Sequence, residues 1–153
     1  MIVYRFANKK FSHDISGEGS RLFGGRWNSK GITAVYASLT ISLSLLELLT
    51  HSAGYDEIIS NQLMVIDTNL DETSDITLKQ LKTNWQRDED YCRFIGDNFL
   101  RASSNLLMKV PSVIIPDEHN IIINPQHKDF SRIKIRSVRT FDFDARLFKK
   151  SKV

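Results

Sequence analysis

An anion-binding turn is predicted where the chain reads Gly24-Gly25-Arg26-Trp27-Asn28. Two glycines free the backbone and let a ligand approach closely. The guanidinium of Arg26 is a permanently charged, planar fork that suits phosphate or carboxylate. Trp27 adds an apolar face, so the segment predicts an arginine presented beside an aromatic wall. An ordinary surface turn with a salt-bridged arginine is the alternative.

A single acidic side chain, Glu47, stands in a segment rich in leucine that predicts a helix. Ser38 or Thr40 is placed to cap this helix, and leucines surround nearly its whole circumference, which predicts that it is buried. Ser44, Glu47 and His51 share one polar stripe because they are three and four residues apart. A buried carboxylate is costly unless something binds it, so Glu47 is the best candidate for a functional acid. A salt bridge to a structural arginine is the alternative.

These residue types suit the cleavage of an N-glycosidic bond whose leaving group is already a cation, as in NAD. No acid is needed to protonate such a leaving group, and one carboxylate near the ribose can stabilise an oxocarbenium-like transition state. An arginine neutralises the pyrophosphate, and a tyrosine can stack on the nicotinamide. Common catalytic signatures are absent, and the four histidines lack zinc-ligand spacing, so no metal is expected.

The composition is that of an ordinary globular protein, with 153 residues of which 41% are apolar and 25% charged. This length predicts one domain. Apolar runs stay far below the roughly 18 residues of a membrane span, and the first residues do not read as a signal peptide. A single cysteine, Cys92, is expected in or near the core and fits a cytoplasmic location.

The net charge of +3 is unevenly distributed. Residues 126–153 carry nine Lys and Arg against three Asp, a net of +6, so the first 125 residues carry −3. A nucleic-acid-binding module is therefore an alternative from another class of function. However, the basic residues mostly alternate with apolar ones, as on the solvent face of a strand. The aromatic residues of this region fit core positions better than exposed stacking platforms; they are Phe130, Phe141, Phe143 and Phe148.

Strands and helices do not alternate as βαβ units, which predicts a single α+β domain with a split, largely antiparallel sheet flanked by helices. Strands are predicted at 2–6, 33–38, 58–67, 106–115, 121–123 and, with a break near 137–138, 133–143. Helices are expected after residue 38, from residue 74 and, capped by Asp88, from residue 89. The last of these is expected to bury Tyr91, Phe94, Ile95 and Phe99.

Three further features bear on a site. Residues 7–31 contain five of the seven glycines and predict a long, functional loop. Tyr36 and Ser38 share one face of their strand. Pro111 suits an edge or a bulge, from which Ser112 can be aimed inward.

The chain resembles the RES domain, a family named for an arginine, a glutamate and a serine and found as the toxin of bacterial toxin–antitoxin pairs. The resemblance covers about residues 3–148, nearly the whole of a single domain of 1–153. Each piece is short, but the ordered set is specific. The matching pieces are Tyr4-Arg5, Gly24-Gly25-Arg26-Trp27-Asn28, Tyr36-Ala37-Ser38, Leu46-Glu47, Val110-Pro111-Ser112, Asn120, Asn124-Pro125 with His127, and Phe143-Asp144-Ala145-Arg146-Leu147.

The resemblance implies a fold similar to ADP-ribosyltransferase toxins and an enzyme that consumes NAD. It also implies an Xre-family helix-turn-helix antitoxin that blocks the active site, in a complex that can include a toxin homodimer. The acceptor stays open among water, inorganic phosphate and a protein side chain. The leading hypothesis is an NAD-degrading toxin, and a mono-ADP-ribosyltransferase acting on a host protein is the alternative.

The family's arginine, glutamate and serine fall on Arg26, Glu47 and Ser112. Glu47 is expected to hold the nicotinamide ribose, Arg26 to bind the pyrophosphate and Ser112 to position the ribose or nicotinamide end. Around them, further residues are expected to bind NAD: Arg5 as a second cation, Tyr36 stacked on the nicotinamide, and Trp27 and Ser38 beside them. Asn124 and His127 are expected at the rim, with the capping of a turn after Pro125 as their alternative.

Overall fold

The computed structural model describes residues 1–148 of the chain. The last five residues, with Lys149, Lys150 and Lys152 of the basic C-terminal region, lie outside the described residues. No helix within residues 1–148 is long and apolar enough to cross a membrane.

Within residues 1–148, seven strands form one mixed sheet. They are β1 (Ile2–Asn8), β2 (Val35–Ser38), β3 (Asn61–Asp67), β4 (Ser74–Asp75), β5 (Leu107–Pro111), β6 (His119–Ile123) and β7 (Lys134–Thr140). Their spatial order is β4-β5-β6-β2-β1-β3-β7. The two-residue strand β4 pairs with β5 in parallel, and the other neighbouring pairs are antiparallel. The predicted α+β fold with a largely antiparallel sheet is confirmed.

The sheet is divided between β1 and β2. These strands pair only at Tyr4 and Ser38, whereas β1 pairs with β3 along its whole length and β2 pairs with β6 from Val35 to Ser38. One half of the sheet consists of β4, β5, β6 and β2, and the other of β1, β3 and β7; a single residue pair joins them. This is the split that the sequence predicts.

In the described part of the chain, four α-helices flank the sheet: α1 (Glu18–Phe23), α2 (Ile41–His51), α3 (Tyr55–Ile59) and α4 (Glu89–Ala102). Thr40 caps α2 by accepting from the backbone N–H of Leu43 at 3.1 Å, and Asp88 caps α4 by accepting from that of Tyr91 at 2.9 Å. Both caps satisfy donors that a helix start leaves unpaired.

Two segments differ from the prediction. The expected loop at 7–31 contains the end of β1, a 3-10 turn (Lys9–Phe11) and α1. The helix expected from residue 74 is instead β4 followed by a 3-10 turn (Leu78–Gln80). Both predictions are wrong because these elements are too short to show a hydrophobic period.

Two hydrophobic clusters, on opposite faces of the sheet, follow from the alternation of strand side chains. One contains Val3, Ala7, Val35, Ala37, Met64, Ile66, Leu107, Ile121 and Ile123. The other packs α4 against the sheet and contains Trp27, Trp85, Cys92, Leu100, Met108, Val110 and Ile122. The prediction that Cys92 lies in the core is confirmed, since it is fully buried.

The buried faces of two helices differ from the prediction. In α2 the buried residues are Leu43 and Ser44, and the other leucines stay partly exposed because the helix contacts β1 and β2 from one side. In α4, Tyr91, Ile95 and Phe99 pack against the core as predicted, whereas Phe94 is 66% exposed. Small residues of this helix, including Cys92 and Gly96, are buried. Leucine content and aromatic spacing predicted more burial than these helices have.

The basic strand β7 has a solvated outer face. Lys134, Arg136 and Arg139 are exposed, as the alternation predicts. The pairing of β7 with β3 shifts register between Val65 and Ile66, which leaves Arg136 as an extra, bulged residue. The bulge lies one position before the predicted break. Beyond the strand, three aromatic rings pack together, with Phe6 centred 5.0 Å from Phe141 and 5.6 Å from Phe143.

Candidate active site

A cavity of about 890 Å³ lies at the split in the sheet, and its size falls within the roughly 300–1,000 Å³ typical of small-molecule sites. Its lining includes Tyr4 and Ser38, the pair that joins the two halves. Arg26 from the glycine-rich turn and Glu47 from α2 line the same cavity. The two side chains on which the predicted chemistry depends therefore face one space.

The carboxylate of Glu47 is held by two donors from the far half of the sheet. Asn120 Nδ2 donates to its Oε1 at 2.6 Å, and Ser112 Oγ donates to the same oxygen at 3.1 Å. Its other oxygen, Oε2, lies 3.7 Å from His51 Nε2, an ion-pair distance rather than a hydrogen bond. The predicted polar stripe of α2 thus brings Glu47 and His51 to the cavity.

The pKa of Glu47 lies below its ordinary value. Burial of the carboxylate opposes ionisation, but His51 and the donors Asn120 and Ser112 more than compensate. The same contact with Glu47 raises the pKa of His51, against its burial and the nearby charge of Arg26. Both shifts favour the ionised pair.

Ser112 contacts the acid and does not face the cavity. It is fully buried, and its Oγ accepts from the backbone N–H of Ile114 at 3.0 Å while donating to Glu47. The inward aim expected after Pro111 is confirmed.

Ser38 and Asn120 are paired across β2 and β6. Ser38 Oγ donates to Asn120 Oδ1 at 2.6 Å, so its hydroxyl, although at the cavity wall, is engaged by protein. The sequence indicates Asn120 only through the family resemblance. Its contact with Glu47 spans 73 positions of the chain, which no local pattern reveals.

Arg26 is three-quarters buried and only partly neutralised. Its Nη1 donates to the carbonyl of Gln86 at 3.0 Å, and its Nη2 lies 3.7 Å from Glu89 Oε1. Glu89 also pairs with Arg93, at 3.1 Å, and is 56% exposed. The salt bridge that was the alternative for Arg26 exists, but it is long and shared, so the guanidinium keeps donors for an anion.

Arg5 provides a second cation on the cavity wall. Its Nη1 donates to the Tyr36 carbonyl at 3.3 Å, across the split between β1 and β2. Its buried Nε has no hydrogen-bond partner among residues 1–148. Burial lowers the pKa of Arg5, and the charge of Asp14 partly offsets this. The guanidinium of Arg5 thus places a second positive charge at the cavity.

Tyr36 holds the glycine-rich turn as well as lining the cavity. Its hydroxyl donates to Asn28 Oδ1 at 2.6 Å and accepts from the backbone N–H of Trp27 at 3.0 Å. Burial raises the pKa of this phenol, so it stays protonated. Asn28 is fully buried, and its Nδ2 donates to the carbonyls of Ser20 and Ile32 at 2.9 and 2.8 Å.

Glycine is required at two positions that place the turn. A Cβ on Gly25 would lie 2.5 Å from the Tyr36 hydroxyl, and one on Gly96 of α4 would lie 1.8 Å from the Trp27 carbonyl oxygen. Next to Gly96, Asp97 accepts from the backbone N–H and the hydroxyl of Ser29 at 2.8 and 2.6 Å. The turn carrying Arg26 is thus fixed between β2 and α4.

The profile of the RES domain matches residues 2–145. This chain belongs to the RES domain family. It is 36% identical over 158 aligned positions to Toxin Res of Photorhabdus laumondii, covering 99% of this chain and 100% of the relative. It is 35% identical to Toxin Res of Yersinia enterocolitica, covering 96% and 99%.

A third relative, the Prs ADP-ribosylating toxin of a Sphingobium species, is 34% identical over 90% of this chain and 89% of its own length. Among solved structures, a chain of the M. tuberculosis MbcT–MbcA toxin–antitoxin complex has a similar fold. The TM-score is 0.74 at 20% identity, over 92% of this chain and 83% of that chain.

Two expectations for the RES domain, those for Asn124 and His127, are corrected by the structure. Trp27 contributes to the cavity lining, although it is only 3% exposed and its ring packs beside Trp85, with ring centres 6.1 Å apart. Asn124 is fully buried and donates to the Leu100 carbonyl at 3.0 Å. His127 is 7% exposed and accepts from the backbone N–H of Asp129 at 3.1 Å.

Asn124 and His127 are therefore not brought to the cavity, whose described lining includes neither. Both residues follow the C-terminal end of β6, whereas Asn120 lies near its start. They stabilise the turn after Pro125, which is the alternative role that the sequence left open for them. In residues 1–148, no three His, Cys, Asp or Glu side chains are grouped as metal ligands.

Proposed function

We propose that this RES domain cleaves NAD at the bond between nicotinamide and ribose. The observation that carries the proposal is the placement of Glu47, Arg26 and Arg5 on one cavity of about 890 Å³. One ionised carboxylate facing two guanidinium groups suits a ligand that is anionic at its pyrophosphate and cationic at its nicotinamide.

In the proposed reaction the C–N bond breaks and nicotinamide leaves with the bonding electron pair as a neutral molecule. The ribose carbon then carries positive charge, which Glu47 stabilises because its carboxylate is already ionised and held. Arg26 and Arg5 bind the pyrophosphate, and Tyr36 supports the nicotinamide end. An acceptor then bonds to the ribose carbon and loses a proton; with water the product is ADP-ribose, and with inorganic phosphate it is the phosphorylated sugar.

The names of two relatives, Toxin Res, support a role as the toxin of a bacterial toxin–antitoxin pair. Consumption of NAD in the cytoplasm would arrest growth, so a partner must restrain the enzyme. The similar fold found in a toxin–antitoxin complex supports an antitoxin as that partner, and we propose one of the Xre helix-turn-helix family. A homodimer of the toxin within such a complex belongs to the same proposal.

Transfer of ADP-ribose to a protein is the second candidate function. It is favoured by the relative from Sphingobium, which is named an ADP-ribosylating toxin. The first steps at Glu47 are the same, and only the acceptor differs.

Product analysis distinguishes the acceptors. Purified protein, free of antitoxin, is incubated with NAD alone, with NAD and phosphate, and with NAD and a bacterial lysate. Free nicotinamide in the first two reactions is the expected result, and mass spectrometry of the sugar product identifies water or phosphate as acceptor. If the NAD carries a label, labelled protein bands in the reaction with lysate would support transfer of ADP-ribose to a protein. Folded protein that releases no nicotinamide in any reaction would contradict both.

A further inference from the structure

The two oxygens of the Glu47 carboxylate have different surroundings. Oε1 accepts from both Asn120 Nδ2, at 2.6 Å, and Ser112 Oγ, at 3.1 Å. Oε2 has no such donor among residues 1–148 and lies 3.7 Å from the exposed His51. One oxygen is thus fixed by the protein, and the other is left to interact with a ligand.

The direction of the hydrogen bonds through Asn120 follows from the chemistry of its neighbours. An ionised carboxylate only accepts, so the Asn120 amide must turn its NH₂ group toward Glu47. Its Oδ1 then faces Ser38, 2.6 Å away, and the Ser38 hydroxyl must donate. The chain of bonds runs from Ser38 through Asn120 to Glu47.

This chain is positioned by the sheet. Ser38 and Asn120 are direct partners in the β2–β6 register, and Ser38 is also the residue at which β2 meets β1. Glu47, by contrast, lies on α2, which contacts the sheet from one side. The Ser38–Asn120 pair is therefore fixed by sheet pairing, and Asn120 contacts the acid from there.

We propose that Asn120, oriented by Ser38, is the positioning residue that holds the Glu47 carboxylate ionised and directs its free oxygen, Oε2, into the cavity. The catalytic consequence rests on the proposed NAD cleavage, whereas the positioning itself does not. Ser38 accordingly acts through Asn120 rather than by binding NAD with its hydroxyl.

Other charged groups near the acid are identified so that the effect of Asn120 can be separated from theirs. On α2 itself, His51 faces Oε2. Across the cavity stand Arg5 of β1, Arg26 of the turn, and Glu89 with Arg93 at the start of α4. Substitutions of Asn120 and Ser38 leave all of these groups in place.

The test compares four variants of the full chain with wild type: Asn120→Ala, Asn120→Asp, Ser38→Ala and the control Asn98→Asp. Asn98 is exposed on α4, so its substitution makes the same chemical change away from the acid. The first readout needs no substrate. It follows the titration of the Glu47 carboxyl carbon by NMR in protein labelled at glutamate, with Glu47→Gln to assign the signal.

We expect Asn120→Ala to move the Glu47 titration to higher pH, and Asn120→Asp to move it further because two carboxylates would then face each other. Ser38→Ala should move it in the same direction by less, and Asn98→Asp should not move it. Ser38 does not contact Glu47, so an effect of Ser38→Ala on its titration must act through Asn120. This variant therefore tests the proposal even if the Asn120 variants fail to fold. An unchanged titration in every folded Asn120 and Ser38 variant would overturn the proposal.

The second readout is nicotinamide release as a function of pH. For Asn120→Ala we expect kcat to fall on the order of a hundredfold, with KM nearly unchanged and the acid limb displaced to higher pH. A rise in KM at unchanged kcat would instead assign Asn120 to ligand binding and overturn the positioning role. If wild type releases no nicotinamide, the proposed function fails, but the NMR titration still decides the positioning.

Discussion

The carboxylate of Glu47 is prepared for positive charge before any ligand arrives. Burial alone would raise its pKa, yet Asn120, Ser112 and His51 together lower it. Donors fixed in advance need no rearrangement when charge develops, and this is the source of their effect on a transition state. Among the residues that the structure describes, none donates a hydrogen bond to the other oxygen, which lies 3.7 Å from His51 Nε2.

His51 predicts a pH dependence of substrate affinity. Contact with Glu47 raises its pKa above the ordinary 6.5, so it stays a cation past that pH and loses its charge only as the pH rises through the higher value. Because NAD carries negative phosphates, KM should increase over that range in wild type and stay flat in His51→Gln. His13→Gln, at an exposed position, is the control and should behave as wild type. The same rise in KM in His51→Gln and wild type would contradict the assignment.

Tyr36 predicts a stability effect separable from chemistry. Tyr36→Phe keeps the ring but leaves the Asn28 Oδ1 and the Trp27 N–H without their partner. The expected loss is about 1–3 kcal/mol of unfolding free energy, measured by denaturant titration. Tyr55→Phe is the control, because Tyr55 is 54% exposed. Equal stability of Tyr36→Phe and wild type would show that the hydroxyl does not hold the turn.

Single residues were predicted where their chemistry is unusual for their surroundings. Glu47 stands out among leucines and Arg26 among glycines, and both line the cavity. Asn124 and His127 are predicted at the site because their side chains are capable of binding, but such side chains also stabilise turns. The partner of Glu47, Asn120, depends on strand register, which residue types do not encode.

At the level of elements, the site is held between β2 and the helix α4. The close approach of α4 to the turn depends on Gly96. The next residue of the helix, Asp97, accepts a hydrogen bond from the backbone N–H of Ser29 in the turn. A helix with small residues on its inner face thus sets the position of Arg26.

Gly96→Ala should destabilise the fold strongly, because the added Cβ would lie 1.8 Å from the backbone carbonyl of Trp27. Overpacking typically costs about 1–3 kcal/mol, and contact with backbone places this case at the upper end or above. Gly19→Ala in α1 is the matched control: no atom lies within 4 Å of its added Cβ, and alanine favours helix by about 1 kcal/mol. Thermal unfolding compares the two, and a Gly96→Ala variant as stable as Gly19→Ala would contradict the packing.

Elements with a long hydrophobic period were predicted from sequence, and short or exposed ones were not. The caps Thr40 and Asp88 place the starts of α2 and α4, and the strands follow their β-branched runs. The helix α1 and the strand β4 are set by tertiary contacts, since neither carries a periodic apolar pattern. On α4 the predicted stripe is wrong only at Phe94, because an aromatic residue need not be buried; Tyr91, Ile95 and Phe99 pack against the core.

Across the whole molecule, the split in the sheet creates the cavity and gathers charge at it. Arg5 comes from one half, Asn120 from the other, and Arg26 from the turn that packs between β2 and α4. In contrast, three of the basic residues of the C-terminal region lie on the solvent face of β7. The net charge of the chain therefore does not predict the site, whereas the positions of individual arginines in the fold do.

Arg26 should account for a large part of the affinity for a pyrophosphate ligand. ADP-ribose, which cannot release nicotinamide, is the probe, and calorimetry measures its Kd. Loss of a charged hydrogen-bond donor costs about 1.5–3 kcal/mol, so Arg26→Ala should weaken binding roughly tenfold or more. Arg21→Ala, at an exposed arginine paired with Glu18, should bind as wild type. Equal affinity of Arg26→Ala and wild type would remove Arg26 from the site.

The most direct test of Glu47 as the catalytic carboxylate is the rate of nicotinamide release at saturating NAD in wild type and Glu47→Gln. Glutamine keeps the size and the polar contacts of the side chain but cannot carry its charge. We expect kcat to fall by roughly 10²–10³-fold, while the Kd for ADP-ribose and the unfolding free energy stay close to wild type. Wild-type turnover by folded Glu47→Gln would contradict the central role of this carboxylate.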